Sequence, residues 1–271
     1  MKETTVIKAK NEFSLDLKEI FKYRELFLIL AIRDIKVRYK QTFFGALWAI
    51  AQPLSSMIIF SFFFGNLAKI SSDGIPYPVF SYTGLLLWTF FSNSVNVASS
   101  SLLNDARLIS KVYFPRLIIP ISTTFVSIID YFVAELFLII LLIFYGINIH
   151  LSMLFSFVIL IFTWILSLGL GMFFAALNVK YRDVKYVVPF FFQLLIFATP
   201  VIYPVSVSGR FKWLLFLNPM SGYIEAHRQF LIGNYSIDWV MLSVSIISTI
   251  LIFIFGLIYF KKVEKYFADI I

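Results

Sequence analysis

Long apolar stretches recur along the chain, and they restrict the folds that it can adopt. A helix that crosses the hydrocarbon core of a bilayer needs about 20 predominantly apolar residues. Six stretches reach or approach that length, with predicted bounds 44–67, 79–103, 117–145, 151–177, 186–203 and 239–260. We therefore predict an all-α polytopic membrane protein whose six transmembrane helices occupy residues 44–260.

The composition supports a membrane protein. Hydrophobic residues make up 60% and charged residues 14% of the 271 positions, whereas about 25% of a typical soluble domain is charged. The mean hydropathy is +0.89. The sequence contains no cysteine, which excludes disulfides, iron–sulfur ligation and thiol nucleophiles.

Basic residues predict the orientation. With an even number of spans both termini lie on one side of the membrane, and 19 of the 23 Lys and Arg residues then fall on that side. They occupy segments 1–43, 104–116, 178–185 and 261–271. Basic residues accumulate on the cytoplasmic side of membrane proteins, so both termini are predicted to be cytoplasmic. The net charge of +8 then reflects orientation and attraction to anionic lipid rather than a nucleic-acid partner.

The N-terminal segment, residues 1–43, mixes apolar and charged residues without a proline. Because it lacks an early uninterrupted apolar core, it does not resemble a secretory signal. From residue 13 to residue 30 the pattern predicts an amphipathic helix that lies in the membrane surface, and a short orientation anchor is the alternative. Residues 261–271 are predicted to form a cytoplasmic tail.

Two of the apolar stretches carry amide and aromatic side chains at helical spacing, since positions three and four apart share one face of a helix. The stripe in the first span consists of Gln41, Gly45, Trp48, Gln52, Ser55, Ser56, Ile59 and Phe63. The stripe in the fifth span consists of Tyr186, Phe190, Gln193, Phe197 and Val201. An unpaired amide in lipid is costly, so each stripe is expected either to bond to a neighbouring helix or to line a substrate path.

The third span carries two acids, Asp130 and Glu135. Five helical steps place them on different faces, so they are not an obvious catalytic pair, and no Lys or Arg within the predicted spans offers a counter-ion. Intramembrane acids are functional candidates, and we keep two roles for them: a transport or structural switch, and pairing with a neighbouring helix. The small polar residues at the end of the second span, between Ser92 and Ser100, are expected to hold helices together.

The fifth span and the segment after it are unusual. Prolines at 189, 200 and 204 each remove a backbone donor and kink or end a helix. Within 204–238, the runs Phe211–Leu217 and Tyr223–Ile232 are too short to cross a membrane and too apolar to lie free in water. We predict re-entrant or interfacial half-helices on the outer side, which border a path and gate it. The residues assigned to this outer gate are Pro200, Pro204, Asn218, Pro219, Tyr223, Glu225 and Arg228.

Several kinds of catalytic site are absent from the sequence. There is no G-x-x-x-x-G-K-[ST] cradle for ATP phosphates and no G-x-S-x-G nucleophile elbow. His150 and His227 are far apart and have no H-E-x-x-H motif around them, which argues against a metal site. We predict no catalytic residue, metal or cofactor in this chain.

Three segments resemble one family of membrane proteins. They are LAIRDIKVRYKQTFFGALWAIAQPL (30–54), NVKYRDVKYVVPFFFQLLIFATPVIYP (178–204) and LNPMSGYIEAHRQFL (217–231). In this order they are similar to the first span, the segment before and through the fifth span, and the outer-side gate of the membrane subunits of type-2 ABC exporters that move polysaccharides. That family includes exporters of O-antigen, capsular polysaccharide and teichoic acid.

The resemblance implies a permease in the bacterial inner membrane that exports a lipid-linked polysaccharide. It also implies a homodimer bound to two copies of a separate cytoplasmic ATPase, which would hold the ATP and Mg²⁺. The first and fifth spans of both protomers would line the channel. The lining residues are then Trp48, Gln52, Ser55, Ser56, Phe63, Tyr186, Phe190, Gln193 and Phe197.

The cytoplasmic segments take roles in the same scheme, with the surface helix at 13–30 packing on the ATPase. The basic residues at the cytoplasmic entrance, which either meet substrate phosphate or only orient the chain, are Arg33, Lys36, Arg38, Lys40, Arg107, Lys111 and Arg116. The residues expected to couple to the ATPase are Arg24, Asn104, Asp105, Arg107, Tyr181, Arg182 and Asp183.

Other functions are kept as alternatives. One is an ABC permease for a smaller lipid or a drug, which an aliphatic channel lining would favour. Another is an integral membrane glycosyl or acyl transferase, which would need histidines or paired acids clustered at an interface. A purely structural subunit would not need a broken fifth span.

Overall fold

The computed structural model describes residues 21–40, 45–233 and 237–267. Within these residues the chain is helical and has no β-strand, so the prediction of an all-α protein is confirmed for them. Residues 13–20 of the predicted surface helix and Gln41 of the first stripe lie outside the described residues.

The helices follow the apolar stretches and the short segments between them. In chain order they are α1 (Arg24–Lys40), α2 (Leu47–Phe60), α3 (Tyr77–Asn104), α4 (Ala106–Lys111), α5 (Ile118–Thr123), α6 (Phe125–Phe144), α7 (Met153–Lys180), α8 (Val184–Leu195), α9 (Lys212–Leu215), α10 (Pro219–Ile232) and α11 (Trp239–Glu264). Helix α2 continues as π-helical turns over Ser61–Leu67, and a 3₁₀ segment, Val205–Phe211, precedes α9.

Among the described residues, four helical segments are long and apolar enough to cross a membrane. They are Leu47–Leu67, Ile118–Phe144, Leu151–Lys180 and Trp239–Glu264, and they correspond to the predicted first, third, fourth and sixth spans. Helix α3 has 28 residues, about 40 Å at the usual helical rise, but it is rich in Ser and Asn. Helix α8 is apolar but has only 12 residues. The count of six spans therefore stays a prediction.

Helix α3 lies at the centre of the packing. It packs along α7, which in turn packs along α11. The hydroxyls of Ser99 and Ser101 donate to carbonyls of the preceding turn, and Asn178 Nδ2 donates to the Ser99 carbonyl at 3.1 Å. The hydroxyls of Ser99 and Ser101 are thus satisfied within α3, and the Asn178 amide joins α3 to α7.

The contact between α7 and α11 depends on two glycines. A Cβ added to Gly256 would lie 2.8 Å from the carbonyl carbon of Gly169, and one added to Gly169 would lie 2.9 Å from the backbone nitrogen of Phe253. Both distances are shorter than a side-chain carbon tolerates. The two helices can approach this closely only because neither position carries a side chain.

One of the predicted spans is interrupted, and another has a local irregularity. In the third span, α5 and α6 meet at Thr124, where the backbone stays in the right-handed helical region and Ile118–Phe144 continues as one segment. In the fifth, regular helix ends at Leu195, earlier than the predicted bound of 203, and turns lead past Pro200 to the 3₁₀ segment that follows Pro204. Proline cannot continue the helical hydrogen-bond pattern, which accounts for this early end. Beyond it, α9 and α10 lie on either side of Asn218, close to the two predicted short runs, and their re-entrant placement stays a prediction.

Candidate functional site

A groove with a volume of about 600 Å³ opens along α2. It is lined by Arg38, Gly45, Trp48, Ala51, Gln52, Ser55 and Ser56. The opposite face of α2 carries Ala49, Pro53 and Met57, which are buried. Helical periodicity thus brings most of the predicted stripe together on one open surface, where Trp48 is 56% exposed. Phe63 is also exposed but lies on the π-helical turns, outside the groove lining.

The stripe on α8 forms a second exposed surface. Its exposed members are Tyr186, Phe190, Gln193 and Phe197. The other face of α8 is buried through Val188 and Phe192, and Phe192 packs edge-on against Phe91 of α3 with ring centroids 5.3 Å apart. Among the described residues, no member of the α8 stripe lines the α2 groove. One chain alone therefore does not bring the two stripes into a common cavity.

The groove residue Arg38 is also paired with an acid of α6. Its Nη2 lies 2.6 Å from Oδ2 of Asp130, and the Tyr39 hydroxyl donates to Oδ1 of the same carboxylate. Burial and this hydrogen bond raise the pKa of the Tyr39 hydroxyl. The predicted spans contain no counter-ion for Asp130, since its partner lies before them on α1, 92 positions away. The basic run just before the first span was the available signal.

A second, enclosed cavity of about 20 Å³ lies behind this ion pair, between α2, α3 and α6. The polar side chains in its lining include Arg38, Gln52, Asn93 and Asp130. A space of this size holds a single water molecule. Arg38 and Gln52 therefore face both the open groove and the enclosed cavity.

Arg33 holds Asp105 in a two-pronged ion pair. Its Nη1 and Nη2 lie 2.7 and 2.9 Å from the two carboxylate oxygens, and Nε donates to Asp34 at 2.8 Å. The hydrogen bond to Asp105 is the main cause of the raised pKa of the Arg33 guanidinium. We expected Arg33 at the substrate entrance and Asp105 at the ATPase contact. The structure pairs these two residues, which joins α1 to the junction of α3 and α4.

Most of the other predicted entrance and coupling residues are exposed. They are Arg24, Lys36, Lys40, Asn104, Arg107, Lys111, Tyr181, Arg182 and Asp183. Arg116 differs because it is partly buried and its Nη1 donates to the Glu264 carbonyl at the end of α11. Arg116 thus ties the segment before α5 to the last turn of α11.

Arg228 is buried and joins several parts of the predicted outer gate. Its side chain is 1% exposed, and Nη1 lies 3.2 Å from the Glu225 carboxylate. Nη2 donates to the Pro200 carbonyl at 2.9 Å, and the guanidinium lies 3.7 Å from the centre of the Phe80 ring on α3. Glycine at position 84 makes room, since a Cβ there would lie 3.0 Å from Nη2. This buried charge is tolerated because it is paired, hydrogen-bonded and stacked on a ring.

Asn218 and Tyr223 fix α10 to its neighbours. Asn218 caps the helix by accepting a hydrogen bond from a backbone N–H of the first turn at 3.1 Å, and its Nδ2 donates to Thr199 Oγ1 at 2.8 Å. Pro219 occupies the first helical turn, where a missing N–H is harmless. The Tyr223 hydroxyl lies 2.6 Å from Thr249 Oγ1 on α11. The predicted gate residues therefore belong to a bonded unit rather than to an open loop.

The two acids of α6 have different surroundings. Asp130 is paired with α1, whereas Glu135 is 3% exposed and its Oε1 has no hydrogen-bond partner among the described residues. Next to Asp130, the Tyr131 hydroxyl lies 2.8 Å from Nε2 of His227 on α10. The pairing of Tyr131 with His227 could not be predicted, because a contact between two single residues of distant helices leaves no pattern of spacing in the sequence.

Comparison with known sequences finds one family along most of this chain. The family described as ABC-2 type transporter matches residues 25–232. The O-antigen export system permease protein RfbA of Klebsiella pneumoniae is 31% identical over 250 residues, which cover 91% of this chain and 95% of that protein. A protein of the same name from Myxococcus xanthus is 30% identical over 216 residues, 78% of this chain and 82% of its own. The polysialic acid transport protein KpsM of Escherichia coli is 24% identical over 241 residues, 87% of this chain and 92% of its own.

Proposed function

The chain belongs to the ABC-2 type transporter family, and from this membership we propose that it is the permease subunit of an ABC exporter that moves a lipid-linked polysaccharide across the bacterial inner membrane. The observation that carries the proposal is the 31% identity to an O-antigen export permease over 91% of the chain. A second relative bears the name of a polysialic acid transport protein. The match thereby confirms the family that the three sequence segments resemble. The names of both relatives support a glycan as the exported cargo.

The chemistry of the α2 groove suits a glycan. The indole of Trp48 offers a flat apolar face to a sugar ring, while Gln52 and the groove serines offer donors and acceptors to its hydroxyls. Arg38 lines the same groove, and a guanidinium can bind the phosphate oxygens of a lipid-linked head group through two hydrogen bonds. Many weak contacts of this kind hold a polymer and still let it move.

We place six helical segments across the membrane: α2, α3, the α5–α6 pair, α7, α8 with the turns after it, and α11. The length of α3, 28 residues, and its central packing against α7 support its place among them. The location of 19 of the 23 Lys and Arg residues supports cytoplasmic termini. Helices α9 and α10, of 4 and 14 residues, are short for a span and lie on the outer side as re-entrant helices.

A second copy of this chain completes the channel. In one chain the stripes of α2 and α8 are exposed and separate, and exposed amides such as Gln52 and Gln193 are costly in lipid. A homodimer that buries both stripes around one path removes this cost. Two copies of a separate cytoplasmic ATPase supply ATP and Mg²⁺, since this sequence has no phosphate cradle of its own, and they dock on exposed residues of α1, α4 and the turn between α7 and α8.

A deletion strain and a co-purification test the proposal together. Deletion of the chain should abolish display of the surface glycan, and a plasmid copy should restore it. The purified chain should retain an ABC ATPase through detergent extraction and raise its rate of ATP hydrolysis. A chain that binds no ABC ATPase, and whose deletion leaves the surface glycan unchanged, is not this exporter.

A further inference from the structure

Arg38 faces two environments at once. On one side it lines the α2 groove with Trp48 and Gln52, and on the other it binds the Asp130 carboxylate at 2.6 Å. The Arg38 side chain is 41% exposed, whereas that of Asp130 is 12% exposed. An anionic group in the groove can therefore reach the guanidinium from its open side while the carboxylate holds it from the buried side.

Asp130 keeps other support when Arg38 turns away. The Tyr39 hydroxyl donates to the same carboxylate, and the cavity of about 20 Å³ behind it is lined by the amides of Gln52 and Asn93. That cavity has room for one water molecule. A buried carboxylate without any partner is strongly destabilising, but this one retains a hydroxyl donor and polar surroundings. The ion pair can thus open without leaving an isolated charge.

The same ion pair determines how firmly α1 is held. Helix α1 packs through apolar side chains such as Phe27, whose ring lies edge-on against Phe125 of α6. It is also held by Arg33 on Asp105 at the junction of α3 and α4, and by Arg38 and Tyr39 on Asp130 of α6. When Arg38 leaves Asp130, the apolar packing of α1 and the ion pair between Arg33 and Asp105 persist, whereas the attachment to Asp130 loses its ion pair and keeps the Tyr39 hydrogen bond. The end of α1 that adjoins α2 then moves more freely against α6.

We propose that Arg38 is an exchangeable guanidinium, which binds Asp130 when the groove is empty and passes to the phosphate of an isoprenoid phosphate or diphosphate when such a ligand enters. The proposal rests on the proposed function, which supplies an anionic lipid-linked cargo. A diphosphate offers more charge and more acceptor oxygens than a carboxylate, and it matches the guanidinium fork. Entry of the ligand loosens α1, the helix proposed to contact the ATPase, and so signals an occupied groove. Asp130 is a positioning residue that competes for Arg38.

The test measures the affinity of geranylgeranyl diphosphate for the chain and its ATPase in phosphatidylcholine nanodiscs, with geranylgeraniol as the uncharged control. Asp130→Asn removes the competing charge, so the diphosphate should bind about tenfold more tightly, as for one charge-assisted hydrogen bond. Tyr39→Phe should weaken binding about threefold, because the displaced carboxylate loses a neutral hydrogen-bond donor. Asp238→Asn, which breaks an ion pair with Lys212 outside the groove lining, should leave the affinity unchanged.

An ion pair that only holds the fold predicts a different pattern. In that case Asp130→Asn would weaken binding or leave it unchanged, and either result overturns the proposal. If Asp130→Asn yields no homogeneous complex, Tyr39→Phe decides, and an unchanged affinity in that variant overturns the proposal as well.

Loosening of α1 has a separate readout. Because the sequence has no cysteine, Val37→Cys on α1 and Leu136→Cys on α6, both at exposed positions, can carry spin labels without further changes. The diphosphate should broaden the distance distribution between the labels, and geranylgeraniol should not. An equal change with phosphatidylglycerol would assign the site to a lipid head group and overturn the role in sensing cargo. The outcomes for this inference and for the proposed function can be told apart. If these tests fail but glycan display still requires the chain, the proposed function stands and only the exchange of Arg38 is wrong. If glycan display does not require the chain and the chain binds no ATPase, the proposed function is wrong.

Discussion

The Tyr131 hydroxyl on α6 lies 2.8 Å from Nε2 of His227 on α10, and both side chains are buried. The preceding residue, Asp130, is bound by Arg38 and Tyr39 of α1. Two consecutive residues of α6 therefore contact two different helices. Asp130 contacts α1, which is proposed to meet the ATPase, and Tyr131 contacts α10, which is proposed to form the outer gate. Through these contacts with α6, a displacement of α1 can reach α10.

Removal of the Tyr131 hydroxyl should lower the stability of the protein. Tyr131→Phe leaves the buried His227 ring without this hydrogen bond, and an unsatisfied buried polar group costs about 1 to 3 kcal/mol. Thermal unfolding of the purified protein in detergent measures the effect. Tyr266→Phe, which removes the hydroxyl of an exposed tyrosine, is the matched control and should leave the unfolding temperature unchanged. Equal unfolding temperatures for both variants would contradict a stabilising Tyr131–His227 pair.

Arg228→Lys should loosen the predicted outer gate although it keeps the positive charge. A single ammonium cannot bind Glu225 and the Pro200 carbonyl while stacking a planar face on Phe80, so we expect a loss of about 2 kcal/mol. Limited proteolysis should then cut the turns between α8 and α9 faster than in the unchanged protein. Arg210→Lys alters an exposed arginine of the same segment and should not change the rate of cleavage. Equal cleavage of all three proteins would show that Arg228 does not hold this segment.

Trp48→Ala or Gln52→Ala should impair glycan export while leaving assembly with the ATPase intact. Both side chains line the α2 groove, so their loss removes a stacking surface or a hydroxyl partner from the cargo but little internal packing. Surface glycan and co-purified ATPase are measured in the same cells. The control is Trp239→Ala, which truncates a tryptophan that is 64% exposed and outside the groove lining. Normal export in the Trp48 and Gln52 variants would count against a role in lining the path.

Charge reversal at Arg107 or Arg182 should weaken association with the ATPase. Both side chains are exposed and lie in segments that the proposed topology places in the cytoplasm, where reversed charges would repel a complementary surface. The amount of ATPase retained on the purified chain measures the change. Arg210→Glu reverses an exposed charge on the side proposed to be external, and it should retain the ATPase. Undiminished association after Arg107→Glu and Arg182→Glu would remove both residues from the contact.

The residues that share one face of the candidate site could be predicted from spacing alone. Trp48, Gln52 and Ser55 repeat at three and four residues, and the structure places them on one side of α2 with Ala49 and Pro53 buried on the other. The same reasoning separated Tyr186 from Val188 on α8. Periodicity succeeds in these cases because the backbone of a helix fixes which residues share a face, whatever the helix packs against.

The bounds of the broken elements were predicted less well. The prolines at 200 and 204 indicated that the fifth span is irregular, but regular helix already ends at Leu195. Hydropathy measures the length of an apolar run, and it does not register where backbone geometry changes inside that run.

By itself the sequence determined the helical class, the apolar segments, the residues that share one face of α2 and of α8, and a family resemblance that comparison confirmed. Only the tertiary structure decided which polar groups meet: Arg38 with Asp130, Arg33 with Asp105, and Tyr131 with His227. The physical reason is the range of the forces involved. Hydropathy and helical period are properties of neighbouring residues, whereas each of these pairs joins helices far apart in the chain, and their positions depend on the packing of every helix between them.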